Sequence, residues 1–438
     1  MLPCRAMTTS NVPLAAPRKK HSLGTLIAGV IGNLMEWYDF ALYGYFASVL
    51  SRLFFPGDDP VAATLATWAV FAAGFVMRPL GSAIFGYIGD RWGRRRALLI
   101  SVIFMGVPTF GLGLLPTYQM VGLAAPVLLL VIRLLQGLSV GGEFSSSVTY
   151  VVETSPVNKR GLSGSWANVG SMSGMLLGSA LATLVTNVFD TSFVDSWGWR
   201  LPFLFGGVIA VFAVFLRRGL SPSQLFKEHE ARHENRSPIK LVFRQNRAQL
   251  LQAFFFAAGY ATLFYIPFVY LPDYLSQYAD IPIAEGLRIN TISTSALLLL
   301  IPLAGYLSDR FIRRRNLLLI SFGLVAGLAY PLFLLFDNSS FGAVLLGQLV
   351  FTLLIAVPLG TVPAMMVELF PTQDRLSGYS ISYNTAMAVV GGSTPIIATW
   401  LISQTGFILA PAIYLAALAL VSVAALFFIR DRSREPLL

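Results

Sequence analysis

The chain is short of charge. Asp, Glu, Lys and Arg make up 12% of its 438 residues against 55% hydrophobic residues, and mean hydropathy is +0.69. A water-soluble fold needs roughly twice that charge to coat its surface, so a soluble globular protein is excluded. Cysteine is nearly absent. The single Cys4 can form no internal disulfide and belongs to no metal-ligand pattern. Histidine is scarce too, and His21, His229 and His233 all fall in polar stretches. With no His or Cys inside an apolar run, neither a metal site nor the nucleophile–base pair of a hydrolytic membrane enzyme can be assembled. The polar stretches are too short for a sensor's output domain. Residues 430–438 carry no heptads, so no coiled coil is expected there. The sequence therefore predicts no enzyme, no cofactor and no metal.

What the chain does have is apolar runs of spanning length, about 20 residues each. Twelve are read, at about 24–53, 62–88, 97–116, 121–152, 161–188, 198–217, 248–275, 287–307, 316–336, 341–367, 376–403 and 407–429. The first is too long and too aromatic for the core of a signal peptide, so a retained helix is expected. The fold class is an all-α membrane protein with twelve transmembrane helices in two six-helix halves. Residues 1–21 form an N-terminal tail, with Met7 as a second candidate start. The halves are 22–217 and 248–429, joined by a loop at 218–247, and 430–438 is a C-terminal tail. The loop's mixed-charge run Lys227–Glu234 suits a short amphipathic helix or a solvated linker.

The net charge of +10 does not point to nucleic acid, because no basic soluble domain exists to bind it. With both termini placed in the cytoplasm, nearly all Lys and Arg fall on that side, which is the positive-inside bias. A multi-pass protein of a bacterial inner membrane is expected, surrounded by lipid and working as a monomer.

Two motifs repeat about half a chain length apart. Gly86-x-x-x-Asp90-Arg91-x-x-Arg94-Arg95-Arg96 returns as Gly305-x-x-x-Asp309-Arg310-x-x-Arg313-Arg314-Arg315. Glu153-x-x-Pro156-x-x-x-Arg160 returns as Glu368-x-x-Pro371-x-x-x-Arg375. A membrane protein built as two similar halves is most simply a carrier with its site between them. Gly170, Gly174 and Gly178 make a close-packing face in the fifth span. Pro267, Pro272, Pro302, Pro358, Pro363 and Pro395 interrupt the second half, where neighbours must satisfy the freed carbonyls.

Charges buried in hydrocarbon cost at least a few kcal/mol each and are seldom idle. The first half has Glu36, Asp39, Arg78, Arg133 and Glu143, and the second half has no comparable set. Proton and charge work is therefore expected in the first half and neutral contacts in the second. Glu36 and Asp39 share a helix face at i and i+3, with Asn33 and Tyr43 near the same stripe. Asp39 lies about 22 Å along the first span and Arg133 about 16 Å in from the outer end of the fourth, so the two can meet near mid-membrane. A carboxylate that loses its Arg partner in a dry site takes up a proton, and one that gains it releases the proton. The alternative is a static ion pair. Arg78 suits a substrate carboxylate or a fixed partner for Glu36 or Glu143. Glu143 suits either a proton site or a structural pair. Tyr265, Tyr270, Tyr383 and Asn384 are candidate substrate contacts, since tyrosine offers an aromatic face and a hydroxyl. Aromatic packing is the alternative for each.

The repeated Asp-Arg loop resembles the signature loop of the major facilitator superfamily. Gly32-Asn33-Leu34-Met35-Glu36-Trp37-Tyr38-Asp39-Phe40, Arg78-Pro79-Leu80-Gly81, Arg133-Leu134-Leu135-Gln136-Gly137 through Gly142-Glu143, and Trp197-Gly198-Trp199-Arg200 resemble its metabolite:proton symporters. Phe54-Phe55-Pro56-Gly57 and Ala125-Pro126-Val127 are most similar to proline/betaine transporters. The resemblance spans essentially the whole chain. It implies the major facilitator fold and proton-coupled uptake of a small carboxylate-bearing solute by alternating access. A proline/betaine-type zwitterion is expected ahead of 2-oxoglutarate, citrate or shikimate. The proton is the coupling ion, and solute and proton are the partners. On this fold Asp90, Arg91, Arg94, Glu153, Asp309, Arg310, Arg313 and Glu368 would form a cytoplasmic gate. Osmosensing relatives carry a C-terminal coiled coil that this chain lacks, which puts osmotic regulation in doubt. A uniporter and a drug/proton antiporter remain as rivals. Such antiporters usually carry a Gly-Pro motif in the fifth helix, and no proline lies between Gly161 and Val188.

Overall fold

The computed structural model describes residues 23–57, 59–220, 238–279, 281–336 and 340–437. The N-terminal tail 1–21 and the run Lys227–Glu234 lie outside the described residues. Twelve long helices, and no strand among the described residues, follow one another up and down. They are α1 Leu23–Tyr45, prolonged by the short helix Ala47–Phe54; α2, made of Pro60–Val76 and Arg78–Trp92; and α3 Arg94–Leu114. Then come α4 Ala124–Thr154, α5 Arg160–Val188 and α6 Arg200–Arg218. The second half holds α7 Arg247–Tyr278, α8 Ile283–Arg310, α9 Arg314–Phe336, α10 Phe341–Leu369, α11 Arg375–Thr405 and α12 Ala410–Phe428. By length and composition, α2 to α12 can each cross a membrane. The 23-residue α1 is about 35 Å long and carries Glu36 and Asp39 in its middle. Helices dominate because hydrocarbon offers backbone N–H and C=O groups no partner, so each span must satisfy its own.

Glycine sets the closest approaches. Gly170, Gly174 and Gly178 of α5 lie against the backbones of Val30, Leu34 and Tyr38, one α1 turn apart. On the other side of the first half, Gly137 and Gly141 of α4 meet Gly74 and Arg78 of α2 backbone to backbone, and Gly81 returns the contact at Leu138. These seams join helices without needing a hydrophobic effect, which lipid cannot supply.

Proline shapes the second half. One turn of α7, Ile266–Tyr270, and one of α11, Met387–Gly391, widen to π-helix. Pro272 follows the α7 turn and brings no N–H, so the carbonyls five and four residues before it lose their helical donor and are taken by side chains. Gln348 of α10 donates to Pro267 O at 2.8 Å, and Asn290 of α8 donates to Phe268 O at 3.0 Å.

The halves touch chiefly through α2 with α11, α5 with α8 and α10, and α4 with α10 and α11. These contacts involve Arg78–Trp92 of α2 and Arg375–Ala386 of α11, the parts next to the arginine-rich loops. Leu271–Tyr278 of α7 and Thr394–Thr405 of α11 pack chiefly within their own half. The molecule is therefore shut at its arginine-rich face and parted toward the opposite one.

The glycine seam yields a direct test. Gly174→Ala places a methyl group against the α1 backbone and should lower stability by about 1–3 kcal/mol, read as a fall in Tm in detergent. At Gly323 a Cβ meets nothing within 4 Å, so Gly323→Ala should leave Tm unchanged.

Candidate functional site

Between the halves, at the level of Glu36, lies a cavity of about 30 Å³. Its charges, Glu36 and Arg78, come from α1 and α2. Its tyrosines, Tyr260, Tyr265 and Tyr383, come from α7 and α11. Trp37, Phe144, Asn168, Met172, Phe264, Leu359, Asn384 and Met387 complete most of the wall. Arg78 is buried with its guanidinium 4.3 Å from the Phe75 ring and 5.1 Å from that of Phe40. Its Nη2 stands 4.0 Å from Glu36 Oε1, beyond hydrogen-bond range. Glu36 Oε2 and Arg78 Nε are buried without a hydrogen-bond partner. The site therefore holds an opposite-charge pair that leaves much of its bonding capacity open, inside an aromatic box. Tyr383 stacks on Phe144 across the halves at 5.2 Å, and Trp37 meets Phe264 edge-on at 5.3 Å.

Asp39 and Arg133 meet at 2.8 Å. Gln136 and Thr109 also donate to Asp39, at 2.8 and 3.1 Å, and the Arg133 guanidinium lies 3.8 Å from the Tyr43 ring. This network ties α1, α3 and α4 together and does not line the cavity. Asn33 and Tyr43 are also placed elsewhere. Asn33 donates to Ser147 Oγ at 3.0 Å, and Tyr43 donates to Thr67 O at 2.8 Å. Tyr270 lies off the cavity, its hydroxyl 3.4 Å from Thr399 Oγ1. Asn384 lines the cavity while its amide donates to Gly141 O and Ser380 O at 2.8 and 3.0 Å.

Glu143 lies in a buried ion pair. Its carboxylate is held by both Nη atoms of Arg217 and by the Ser101 hydroxyl. Arg217 also donates to Ala28 O at 3.0 Å and Leu98 O at 2.6 Å. Glu143 thus binds α1, α3, α4 and α6 into one body and is withdrawn from the cavity. The last residues of α6 read as ordinary flanking charges in the sequence, which hid this partner.

At the arginine-rich face two clusters mirror one another. Asp90 accepts from the amides of Leu376 and Ser377 at 3.1 and 2.7 Å. Asp309 accepts from those of Gly161 and Leu162 at 2.8 and 2.9 Å. Each carboxylate thereby caps the start of a helix in the other half, where N–H groups are free and the dipole favours negative charge. Arg94 joins Asp90 at 2.7 Å and Glu153 at 3.1 Å, and Arg375 joins Glu153 at 2.9 Å. Arg314 joins Asp309 at 2.7 Å and Glu368 at 3.3 Å, and Arg160 approaches Glu368 at 3.6 Å. Arg91, Arg310 and Arg313 do not join; all three are exposed. The reason is a one-residue slip. The working arginine follows Asp90 by four residues but Asp309 by five, so Arg314 takes the place the motif alignment gives Arg313. Arg160 and Arg375 were visible in the sequence only as the ends of the repeated Glu-x-x-Pro-x-x-x-Arg motif.

Beside the first cluster, Asp374 sits in the loop before α11. It accepts from Asn246 at 2.5 Å on one oxygen, and its other oxygen is buried without a partner. Burial, and then the neighbouring Asp90, push its carboxyl up to about 7 from an ordinary value near 3.8. The shut state therefore holds this proton more tightly than a state in which Asp374 is hydrated. The shut state is favoured at low pH and loses that advantage as pH rises from about 4 through about 7. Between pH 8 and pH 6 the ratio of shut to open molecules should rise about tenfold. Spin labels at Arg91→Cys and Arg313→Cys, in a Cys4→Ser background, would read this as a growing short-distance population, and Asp374→Asn should flatten it. A second test separates the carboxylates. Glu143→Ala leaves Arg217 buried without a counter-charge and should cost about 3–5 kcal/mol, while Glu36→Gln should leave Tm nearly unchanged.

Comparison with known proteins agrees with this architecture. Residues 25–237 match the family model for sugar and other transporters, and residues 286–437 match that of the major facilitator superfamily. A glycine betaine/proline/ectoine/pipecolic acid transporter of Dickeya dadantii is 33% identical over 94% of this chain and 84% of its own. The proline/betaine transporter of Escherichia coli (strain K12) shows the same identity and coverage. A putative proline/betaine transporter of Staphylococcus aureus (strain COL) is 33% identical over 94% of this chain and 88% of its own. Among solved structures, the proton:xylose symporter XylE bound to 6-bromo-6-deoxy-D-glucose superposes with a TM-score of 0.77 at 16% identity, covering 94% of this chain and 97% of that one. The chain is a membrane transporter, not an enzyme, and belongs to the major facilitator superfamily, with the proline/betaine transporters.

Proposed function

We propose that the protein is a proton-coupled symporter taking up a small zwitterion of the proline/betaine type. The observation that carries this is the under-satisfied Glu36–Arg78 pair in the aromatic cavity. A solute carboxylate would bond to Arg78, and its ammonium would lie against the tyrosine and tryptophan faces near Glu36. Among the lining residues Arg78 is the single cation, and Arg133 is committed to Asp39. A di- or tricarboxylate would lack a second counter-charge, so a zwitterion suits the site better. The names of the relatives point the same way.

Glu36 is proposed as the acceptor of the coupling proton, since it lines the cavity and one of its oxygens has no donor. The Asp39–Arg133 pair keeps α1 and α4 in register beside it and supplies a second carboxylate for coupling. Once solute and proton are both bound, the clusters at Asp90 and Asp309 separate and the halves rock about the cavity. The arginine-rich face is assigned to the cytoplasm on the positive-inside bias. The working unit is taken as the monomer, because cavity and both clusters are complete within one chain.

Uptake of radiolabelled proline, glycine betaine, 2-oxoglutarate, citrate and shikimate into proteoliposomes, with and without an inward proton gradient, tests this. Proline or glycine betaine should accumulate only with the gradient. Glu36→Gln should abolish accumulation while sparing solute exchange, and Asp39→Asn should reduce both. Uptake indifferent to the gradient would leave a uniporter. Accumulation of only a di- or tricarboxylate would refute the zwitterion assignment.

A further inference from the structure

The segment that follows α12 does not leave the molecule. It folds back under the Asp309 cluster and bonds to the same arginines that close it. Asp431 Oδ2 accepts from the Arg315 amide at 2.8 Å and so caps the start of α9. Asp431 Oδ1 accepts from the Ser433 amide at 2.9 Å and its hydroxyl at 2.5 Å, which sets the turn. Arg314 Nη1 reaches Ser433 O at 3.4 Å, and Arg160 Nη1 donates to Glu435 O at 2.8 Å. Leu437 then packs against the main apolar core. Burial pushes the Asp431 carboxyl up, but bonds from Ser433 and the Arg315 amide, with Arg314 nearby, bring it below its ordinary value. It therefore stays charged at neutral pH.

The two arginines belong to different halves. Arg160 opens α5 in the first, and Arg314 opens α9 in the second. Both also face Glu368. At the other cluster, helix Pro238–Gln245 of the central loop packs against α2 and α11, and Arg94 again takes a backbone carbonyl, that of Thr372 in the loop before α11, at 3.2 Å.

We propose that residues 429–437 are a strap, which bridges Arg160 and Arg314 through its own carbonyls and biases the carrier toward the state shut at the arginine-rich face. When that face opens, Arg160 moves away with the first half and the bond to Glu435 must break. The strap thus adds to the Asp309 cluster a bond between the halves that opening must break. A strap of this kind sets the resting conformation without touching the solute site.

The test uses the spin-label pair at Arg91→Cys and Arg313→Cys in the Cys4→Ser chain, which needs no solute and so stands apart from the substrate assignment. Removal of residues 431–438 should raise the ratio of open to shut molecules at least about tenfold at pH 7. Asp431→Ala, which removes the cap and leaves the backbone, should raise it about threefold. An open fraction equal to that of the intact chain in both variants overturns the strap. If the shortened chain does not elute as a folded species, Asp431→Ala decides alone, and no change in its open fraction overturns the proposal.

Discussion

Two carboxylates hold the present state of the molecule. Asp90 and Asp309 each reach from the end of one half to the first free amides of a helix in the other. A charged acceptor on two backbone donors is about twice as strong as a neutral hydrogen bond, and the helix dipole adds to it. Arg94 and Arg314 supply the counter-charge, and Glu153 and Glu368 balance the extra arginines that the arrangement draws in. The closed face, the parted opposite face and the position of the cavity between them all follow from these two caps. The caps can also break cleanly, because each helix start and each carboxylate can be hydrated once the halves separate.

The two halves repeat in outline and differ in chemistry. The first half carries the charges buried at the level of the cavity and stiffens itself around them. Glu143 with Arg217 and Asp39 with Arg133 fasten its helices, and glycine seams bring α1 to α5 and α2 to α4. The second half carries the cavity's tyrosines and the widened turns of α7 and α11. Side chains from α8 and α10 hold the carbonyls that the α7 turn releases. A rigid charged half facing a more deformable neutral half suits a site that must close around a solute.

Much of this was legible in the sequence. Hydropathy alone reveals twelve spans, because hydrocarbon leaves few alternatives. The meeting of Asp39 with Arg133 follows from counting residues along two helices. The glycine face of α5 follows from its spacing, although its partner α1 does not. Other features depend on geometry that spacing does not encode. The slip that puts Arg314 in place of Arg313 comes from a longer link between the two helices, residues 311–313 against Gly93 alone. Arg217 sits where flanking arginines are common, so its buried role left no mark. Trp37, Tyr260 and Asn168 were hidden among many aromatic and polar residues in similar spans. Asn33 and Tyr43 share the stripe of Glu36 and Asp39, yet the stripe is wider than the cavity.

The cavity's size has a consequence for recognition. Room for about 30 Å³ accommodates one or two water molecules and no organic solute. A larger solute must displace part of the wall, in which Phe144 meets Tyr383 and Trp37 meets Phe264. Apparent affinity is then the difference between new contacts and those surrendered, and it is weaker than the finished fit would suggest. Selectivity follows the same difference. Two compounds with equally good contacts will be told apart by how little of the aromatic wall each must displace, which favours compact, rounded molecules over long ones.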